Sequence, residues 1–125
     1  MQKIQKDTLP DLSGYRNRLD IINEVALQIE KDLLLDEHIA LTDNADKAYT
    51  HLMSALVPII SKLFKQPPYK IKSLLYRIDV NEKKLFDALR DEPEKSEAEI
   101  VSHLIIEREL RKVVFRKMYS QTSNP

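Results

Sequence analysis

Residues 67–89 interrupt the helical pattern of the chain, and they read PPYKIKSLLYRIDVNEKKLFDAL. The two opening prolines end one helix and suit the first turn of the next, because proline disfavours helical geometry in the residue before it. One short apolar face consists of Ile71, Leu74, Leu75 and Ile78, and a second consists of Leu85, Phe86 and Leu89. Between them, either Asp79 with Glu82 forms a capping box or Asn81 alone caps the next helix. The stretch therefore predicts a helix that stops and restarts within about three residues.

Longer amphipathic segments lie on both sides of this stretch. In residues 15–33 and again in residues 45–63, apolar side chains recur at alternating spacings of four and three, which predicts one apolar stripe on each of two α-helices. Ser13 is the expected cap of the first helix, and Thr42 or Asp43 of the second. Pro58 lies inside the second pattern and predicts a kink there.

Residues 100–118 carry apolar side chains around most of the circumference of a further helix, for which Ser96 and Glu99 form the expected capping box. Such a helix either lies at the centre of the protein or uses one face to dimerise. The sequence thus predicts an all-α fold, an up-and-down four-helix bundle whose third helix is broken near residues 79–81. Residues 1–14 are expected to be a flexible arm, residues 15–119 a single domain and residues 120–125 a disordered tail.

The composition narrows the classes of function. Twenty Lys and Arg residues balance twenty Asp and Glu residues, so no overall field attracts nucleic acid or an anionic membrane. The chain has no cysteine, which excludes disulfides and thiolate chemistry and agrees with a reducing, cytoplasmic setting. The N-terminal residues lack the apolar core of a signal peptide. We expect a cytoplasmic protein without a membrane segment.

No motif for catalysis or for a cofactor is apparent. The glycine-rich phosphate loop, the nucleophile elbow and the His-Glu-x-x-His metal motif are all missing. Glu99, His103 and Glu107 recur every four residues and could form a partial metal site, but such a cluster is more often a solvated row of interacting side chains. We therefore expect no enzyme activity, no cofactor, no metal and no small-molecule substrate.

Nucleic-acid binding is the alternative function. Residues 71–90 have the size of a helix-turn-helix, with Lys83, Lys84 and Arg90 on the second helix, and a basic stripe formed by Arg108, Lys112 and Arg116 follows on the last helix. The acidic residues around the turn, which include Asp79, Glu82 and Asp87, would repel phosphates. The same basic and apolar helix could lie on a membrane, but its apolar residues are needed for the core.

The segment LYRIDVNEKK at residues 75–84, followed by LIIER at residues 104–108 and by Arg111, Lys112 and Arg116, resembles a pattern in a family of small helical bacterial proteins with no known activity. The resemblance covers residues 69–119. It implies a bacterial, cytoplasmic protein in which the break recurs, and it assigns no site.

These observations favour a non-enzymatic protein that acts through protein–protein interaction, as a homodimer or a small adaptor. The broken third helix and the last helix are expected to present the surface. Its predicted residues are Tyr76, Arg77, Lys83, Arg108, Lys112 and Arg116.

Overall fold

The computed structural model describes residues 12–35, 38–40 and 42–123. These residues form five α-helices and no strand: α1 (Leu19–Asp32), α2 (Ala48–Phe64), α3 (Pro68–Ile78), α4 (Glu82–Asp91) and α5 (Glu97–Ser123). Short 3-10 turns at Ser13–Tyr15 and Ala45–Lys47 precede α1 and α2. The all-α class predicted from the sequence is confirmed. The up-and-down arrangement of a four-helix bundle stays a prediction.

Helix α5 is the central element of the core. It packs most extensively against α1 and α2, and it also contacts α3 and α4. Its buried side chains are Ala98, Ile100, Val101, Ser102, Ile105, Ile106, Glu109, Leu110, Val113 and Val114. Neighbours on several sides explain why apolar residues surround this helix. Of the two roles predicted for residues 100–118, the central position is the one observed.

The break between α3 and α4 is a helix C-terminus followed directly by a helix N-terminus. Asp79 adopts the left-handed conformation, with φ 69° and ψ 46°. The Val80 N–H donates to the Leu75 carbonyl at 3.0 Å and the Asp79 N–H donates to the Tyr76 carbonyl at 3.1 Å, which is the Schellman pattern. Val80 and Leu75 both pack against the core, as the apolar contact of that motif requires.

Side-chain caps start α4 and α5. The Asn81 side chain accepts from the backbone N–H groups of Lys83 at 2.8 Å and Lys84 at 3.3 Å, so Asn81 is the cap rather than a box of Asp79 and Glu82. The predicted box before α5 is confirmed, because the Glu99 carboxylate accepts from the Ser96 N–H at 2.9 Å and the Ser96 hydroxyl accepts from the Glu99 N–H at 3.1 Å.

We expect Asn81→Ala to lower the free energy of unfolding by about 1 kcal/mol, the usual value of an N-cap hydrogen bond. The loss should appear as a lower urea midpoint with an unchanged slope. Asn17→Ala, at an exposed position in the turn before α1, is the matched control. Equal stability of the two variants would contradict a capping role for Asn81.

Two predicted helix starts are wrong. Ser13 does not cap α1, because residues 13–15 form a 3-10 turn in which the Tyr15 N–H donates to the carbonyl of the buried Leu12, and α1 begins only after the extended Arg18. Before α2, the Asn44 side chain accepts from the Asp46 N–H at 3.0 Å and caps the 3-10 turn, in place of Thr42 or Asp43. In both cases a short turn comes between the expected cap and the helix.

The remaining boundaries differ in detail from the expectation. Helix α2 continues on both sides of Pro58. Leu12, near the end of the predicted arm, is buried in the core, and residues 1–11 lie outside the described residues. Helix α5 extends to Ser123, beyond the predicted start of the tail. Among the helices described, none combines the length and apolar character needed to cross a membrane.

Candidate functional site

An open groove of about 580 Å³ runs between α3, α4 and the first turns of α5. Ile71, Leu75 and Val101 form its floor, and the more exposed side chains of Phe64, Tyr76, Val80, Leu85, Phe86 and Leu89 complete its apolar lining. Lys72, Glu82 and Glu97 supply the charged groups of the lining. Val80 in the break at residues 79–81 also lines the groove, between the residues contributed by α3 and those contributed by α4.

The aromatic residues of the groove are strongly exposed. Tyr76 retains 88% of its accessible surface and Phe86 retains 64%. Tyrosine and phenylalanine are enriched at the centres of protein interfaces, where their apolar area is removed from water. Tyr76 and Phe86 thus form an exposed aromatic patch at this groove.

Helix α4 is the least buried helix. It has ten residues, and none of them is buried. Leu85, Phe86 and Leu89 nevertheless follow helical spacing and form one apolar face toward the groove. Because an isolated helix of this length is marginal in water, most of its stability must come from packing on that face. The fold of a single chain leaves that packing incomplete.

Charge is unevenly distributed across the groove. Helix α3 carries Lys70, Lys72 and Arg77 and no acidic residue. On the opposite side, Glu82 begins α4 and Glu97 begins α5. Of these charged residues, only Lys72 of α3, Glu82 of α4 and Glu97 of α5 line the groove, and the rest of its lining is apolar.

The structure does not gather the six predicted surface residues into one site. Tyr76 lines the groove, and Arg77 lies exposed on the same helix. Lys83 pairs with Asp87 at 3.1 Å on α4. Arg108 reaches Asp79 at 3.1 Å, Lys112 reaches Asp32 at 3.6 Å, and Arg116 donates to the Gln28 side chain at 3.3 Å. Thus the stripe on α5 contacts the break and α1 within the same chain.

The sequence interpretation did not predict that Phe64, Phe86 and Glu97 lie together in the lining of one groove. The available signal was the apolar face of residues 82–91, which is too strong for a short surface helix with one neighbour. Phe64 and Glu97 gave no local signal, since only the tertiary arrangement brings them to α4.

Apart from the apolar groove, a polar cluster links α2 to α5 and to the turn before α1. The Tyr49 hydroxyl hydrogen-bonds His103 Nδ1, and His103 Nε2 lies 3.8 Å from Glu107. Arg16 binds Glu107 at 2.9 Å, and its guanidinium carbon lies 4.5 Å from the centre of the Tyr49 ring. Burial lowers the pKa of His103 despite the opposing effect of Glu107, and burial likewise raises the pKa of Tyr49. The neutral His103 imidazole and the neutral Tyr49 phenol therefore form a structural hydrogen bond between α5 and α2.

The partial metal site considered for Glu99, His103 and Glu107 does not form. Glu99 belongs to the cap of α5, and Glu107 is bound to Arg16. In residues 12–35, 38–40 and 42–123 there is no group of three side chains placed to hold a metal ion.

Glu109 is a fully buried acid between α5 and α1. Its relative exposure is 0%, and Lys112 Nζ lies 3.1 Å from Oε1, although neither carboxyl oxygen has a hydrogen bond of good geometry. Burial raises the pKa of Glu109 to about 8, with a further contribution from Asp32, while Lys112 opposes the rise. Burial also disfavours the charged form of Asp32, but interactions with Glu109, Gln28 and Lys112 outweigh it and lower the pKa of Asp32. Near pH 7 Glu109 therefore keeps its proton while Asp32 is ionised.

Comparison of the chain with protein-family models, with curated proteins and with solved structures found no match. The groove, the cluster around His103 and the buried acid are thus interpreted from their own geometry.

Proposed function

We propose that the protein is a non-enzymatic interaction module that self-associates through the groove between α3, α4 and α5, with a second copy of the chain as the occupant. The observation that carries this proposal is α4, an amphipathic helix without a single buried residue. A second copy would cover Phe86 and Tyr76 and provide the packing that α4 lacks.

Charge complementarity supports a second copy rather than an unrelated partner. In a two-fold symmetric dimer the same patch meets itself in reversed orientation. Lys72 of one copy would then lie near Glu82 and Glu97 of the other copy, and the reverse contact would form as well. These charges of opposite sign in one lining are complementary to themselves, and a net charge of zero adds no repulsion between copies.

The alternative function, nucleic-acid binding, has less support. Lys83 and Arg90 on α4 pair with Asp87 at 3.1 Å and 3.3 Å, and on α5 Arg108 and Lys112 pair with acids of the same chain. Cations that are already paired with acids of the same chain neutralise fewer phosphates, so fewer counterions leave the nucleic acid and binding is weaker. Duplex DNA that binds with a steep salt dependence would favour this alternative over self-association.

We also infer that α3 and α4 together form the broken third helix of an up-and-down four-helix bundle. We infer further that the protein is bacterial and cytoplasmic. Helices α3 and α4 together cover residues 68–91, which is longer than α1 (14 residues) or α2 (17 residues) and close to the length of α5 (27 residues). The lack of cysteine and the resemblance of residues 69–119 to small bacterial proteins support that setting.

Charge reversal tests the proposed dimer. We expect Lys72→Glu to weaken dimerisation about tenfold, because it places like charges opposite Glu82 and Glu97 of the other copy. Glu97→Lys should weaken it similarly, and the double variant should recover most of the affinity. Sedimentation equilibrium over a range of protein concentrations measures all three dissociation constants.

The matched control is Lys62→Glu on α2, outside the groove lining, which should leave the dissociation constant unchanged. Additive losses in the double variant would contradict the two-fold pairing. A wild-type protein that stays monomeric at every accessible concentration would overturn self-association and leave a different protein as the occupant.

A further inference from the structure

Helix α4 is held to the rest of the protein along one narrow strip. In the part of the chain that the structure describes, α5 is the only helix that packs extensively against it, and Leu85 is its side chain that packs on the buried core. Open space lies on both sides of α4. The groove of about 580 Å³ is on one side, and on the other is a cleft of about 430 Å³ whose lining includes Lys84, Ala88 and Glu92. The two linings share no residue.

The charged side chains of α4 interact within the helix and not with its neighbours. Lys83 pairs with Asp87 at 3.1 Å, and Arg90 pairs with the same carboxylate at 3.3 Å. Arg90 also donates to Asp91 at 3.1 Å. Among the described residues, no hydrogen bond or ion pair joins an α4 side chain to another helix. Apolar contact with α5 is therefore the main interaction that holds α4 in place.

Well-anchored residues lie directly before and after α4. Ile78, at the end of α3, is fully buried, and the ion pair of Asp79 with Arg108 at 3.1 Å connects the start of the break to α5. On the other side, Ala98 is buried in the first turn of α5, next to the capping box of that helix. Residues 80–95, between these anchors, include no buried residue. The segment can thus leave α5 without removing a buried side chain from the core, as a locally unfolding unit does.

We propose that the folding of α4 is coupled to self-association. In the free chain α4 opens as a unit while the core stays folded, and a second copy on the groove closes it, because Leu85, Phe86 and Leu89 of α4 line that groove. The inference rests on the proposed function, since the occupant is the same second copy. The stability of α4 then regulates the dimer, because both chains must form this helix before the two grooves can meet.

Hydrogen exchange followed by mass spectrometry tests the opening. The full chain is exchanged at pH 7, at protein concentrations below and above the dissociation constant that sedimentation equilibrium gives. In the monomer, the amides of residues 85–91 should exchange at least about 100-fold faster than those of residues 103–114 in α5, since local opening costs less than global unfolding. As the monomer fraction falls, exchange in residues 85–91 should slow with it. Equal exchange of the two segments in the monomer would overturn the proposal.

A core variant separates local opening from global unfolding. Ile29 on α1 is fully buried, and Ile29→Val should speed the exchange of residues 103–114 about two- to tenfold through the loss of a buried methyl group. Exchange in residues 85–91 should not change, because α4 opens with the core intact. The same acceleration in both segments would show that α4 opens only together with the core, which contradicts the proposal.

Asp87 offers a matched pair of variants for the coupling itself. It lies in the middle of α4, outside the lining of the groove, and both Asp87→Gly and Asp87→Ala remove its ion pairs. The two variants differ in helix propensity, so the dissociation constant of Asp87→Gly should exceed that of Asp87→Ala by at least about threefold. Equal dissociation constants would overturn the coupling and leave the dimer in place.

Failure of this inference is distinguishable from failure of the proposed function. A chain that stays monomeric in sedimentation equilibrium contradicts self-association, and the coupling fails with it. A chain that dimerises while the exchange of residues 85–91 stays independent of concentration keeps the proposed dimer and contradicts only the coupling.

Discussion

Phe86→Glu is expected to convert the proposed dimer into a monomer without unfolding the chain. Phe86 is 64% exposed in one chain, so the substitution leaves the core intact. At the proposed interface the carboxylate would be buried without a partner, which is strongly unfavourable. Truncation of a central aromatic residue commonly costs 2 kcal/mol or more, so we expect the dissociation constant to rise by about 30-fold or more. Light scattering coupled to size exclusion should show the mass fall from twice 14.6 kDa to one chain.

Leu27→Glu provides the matched control for this experiment. Leu27 is 60% exposed, lies on α1 and takes no part in the groove. The control variant should remain a dimer with an unchanged circular dichroism spectrum. If Phe86→Glu and Leu27→Glu have the same dissociation constant as the wild type, the groove is not the dimer interface.

Glu109→Gln is expected to remove most of the pH dependence of stability between pH 4.5 and pH 8. The folded chain keeps the Glu109 proton until about pH 8, whereas the unfolded chain releases it near 4.5. In this window the folded state binds more protons, so the free energy of unfolding falls as the pH rises. At about 1.4 kcal/mol for each pH unit, the loss over this window is on the order of 5 kcal/mol. Glutamine cannot ionise, so the variant should be the more stable protein at pH 8.

Urea denaturation at several pH values measures this effect. Glu24→Gln is the matched control, since Glu24 forms a half-exposed ion pair with Lys117 at 3.0 Å that water screens. Below about pH 4, protonation of Asp32 should destabilise both Glu109→Gln and the wild type, because the pKa of Asp32 is lowered in the folded state. A wild-type slope retained in Glu109→Gln would show that another group titrates in this window.

Two features encoded within one turn of helix could be predicted from the sequence, although the caps expected for α1 and α2 were wrong. The capping box of Ser96 and Glu99 needs only residues three apart, and both of its hydrogen bonds are present. The break was predicted for the same reason, although the choice of Asn81 as the cap required coordinates. Its Schellman pattern also had a local signal, since the apolar Val80 follows Asp79 where the motif needs an apolar contact with Leu75.

Features that depend on a distant partner could not be predicted. Glu109 belongs to a row of charged residues on α5, and no local pattern distinguishes it from its partly exposed neighbours. Its burial follows from the packing of α1 against α5, which also brings Asp32 close. The ion pairs of the basic stripe could not be predicted either, because the acids that pair with Arg108 and Lys112 are distant in sequence, at residues 79 and 32.

The sequence by itself determined the helical class and the position of the break, because period and proline act over a few residues, whereas it left residues 100–118 either at the centre of the protein or at a dimer interface. Only the tertiary structure decided that α4 leaves its apolar face in an open groove and that Glu109 is enclosed. The physical reason is that burial and charge pairing depend on which helices become neighbours, and that choice is made by the packing of the whole core.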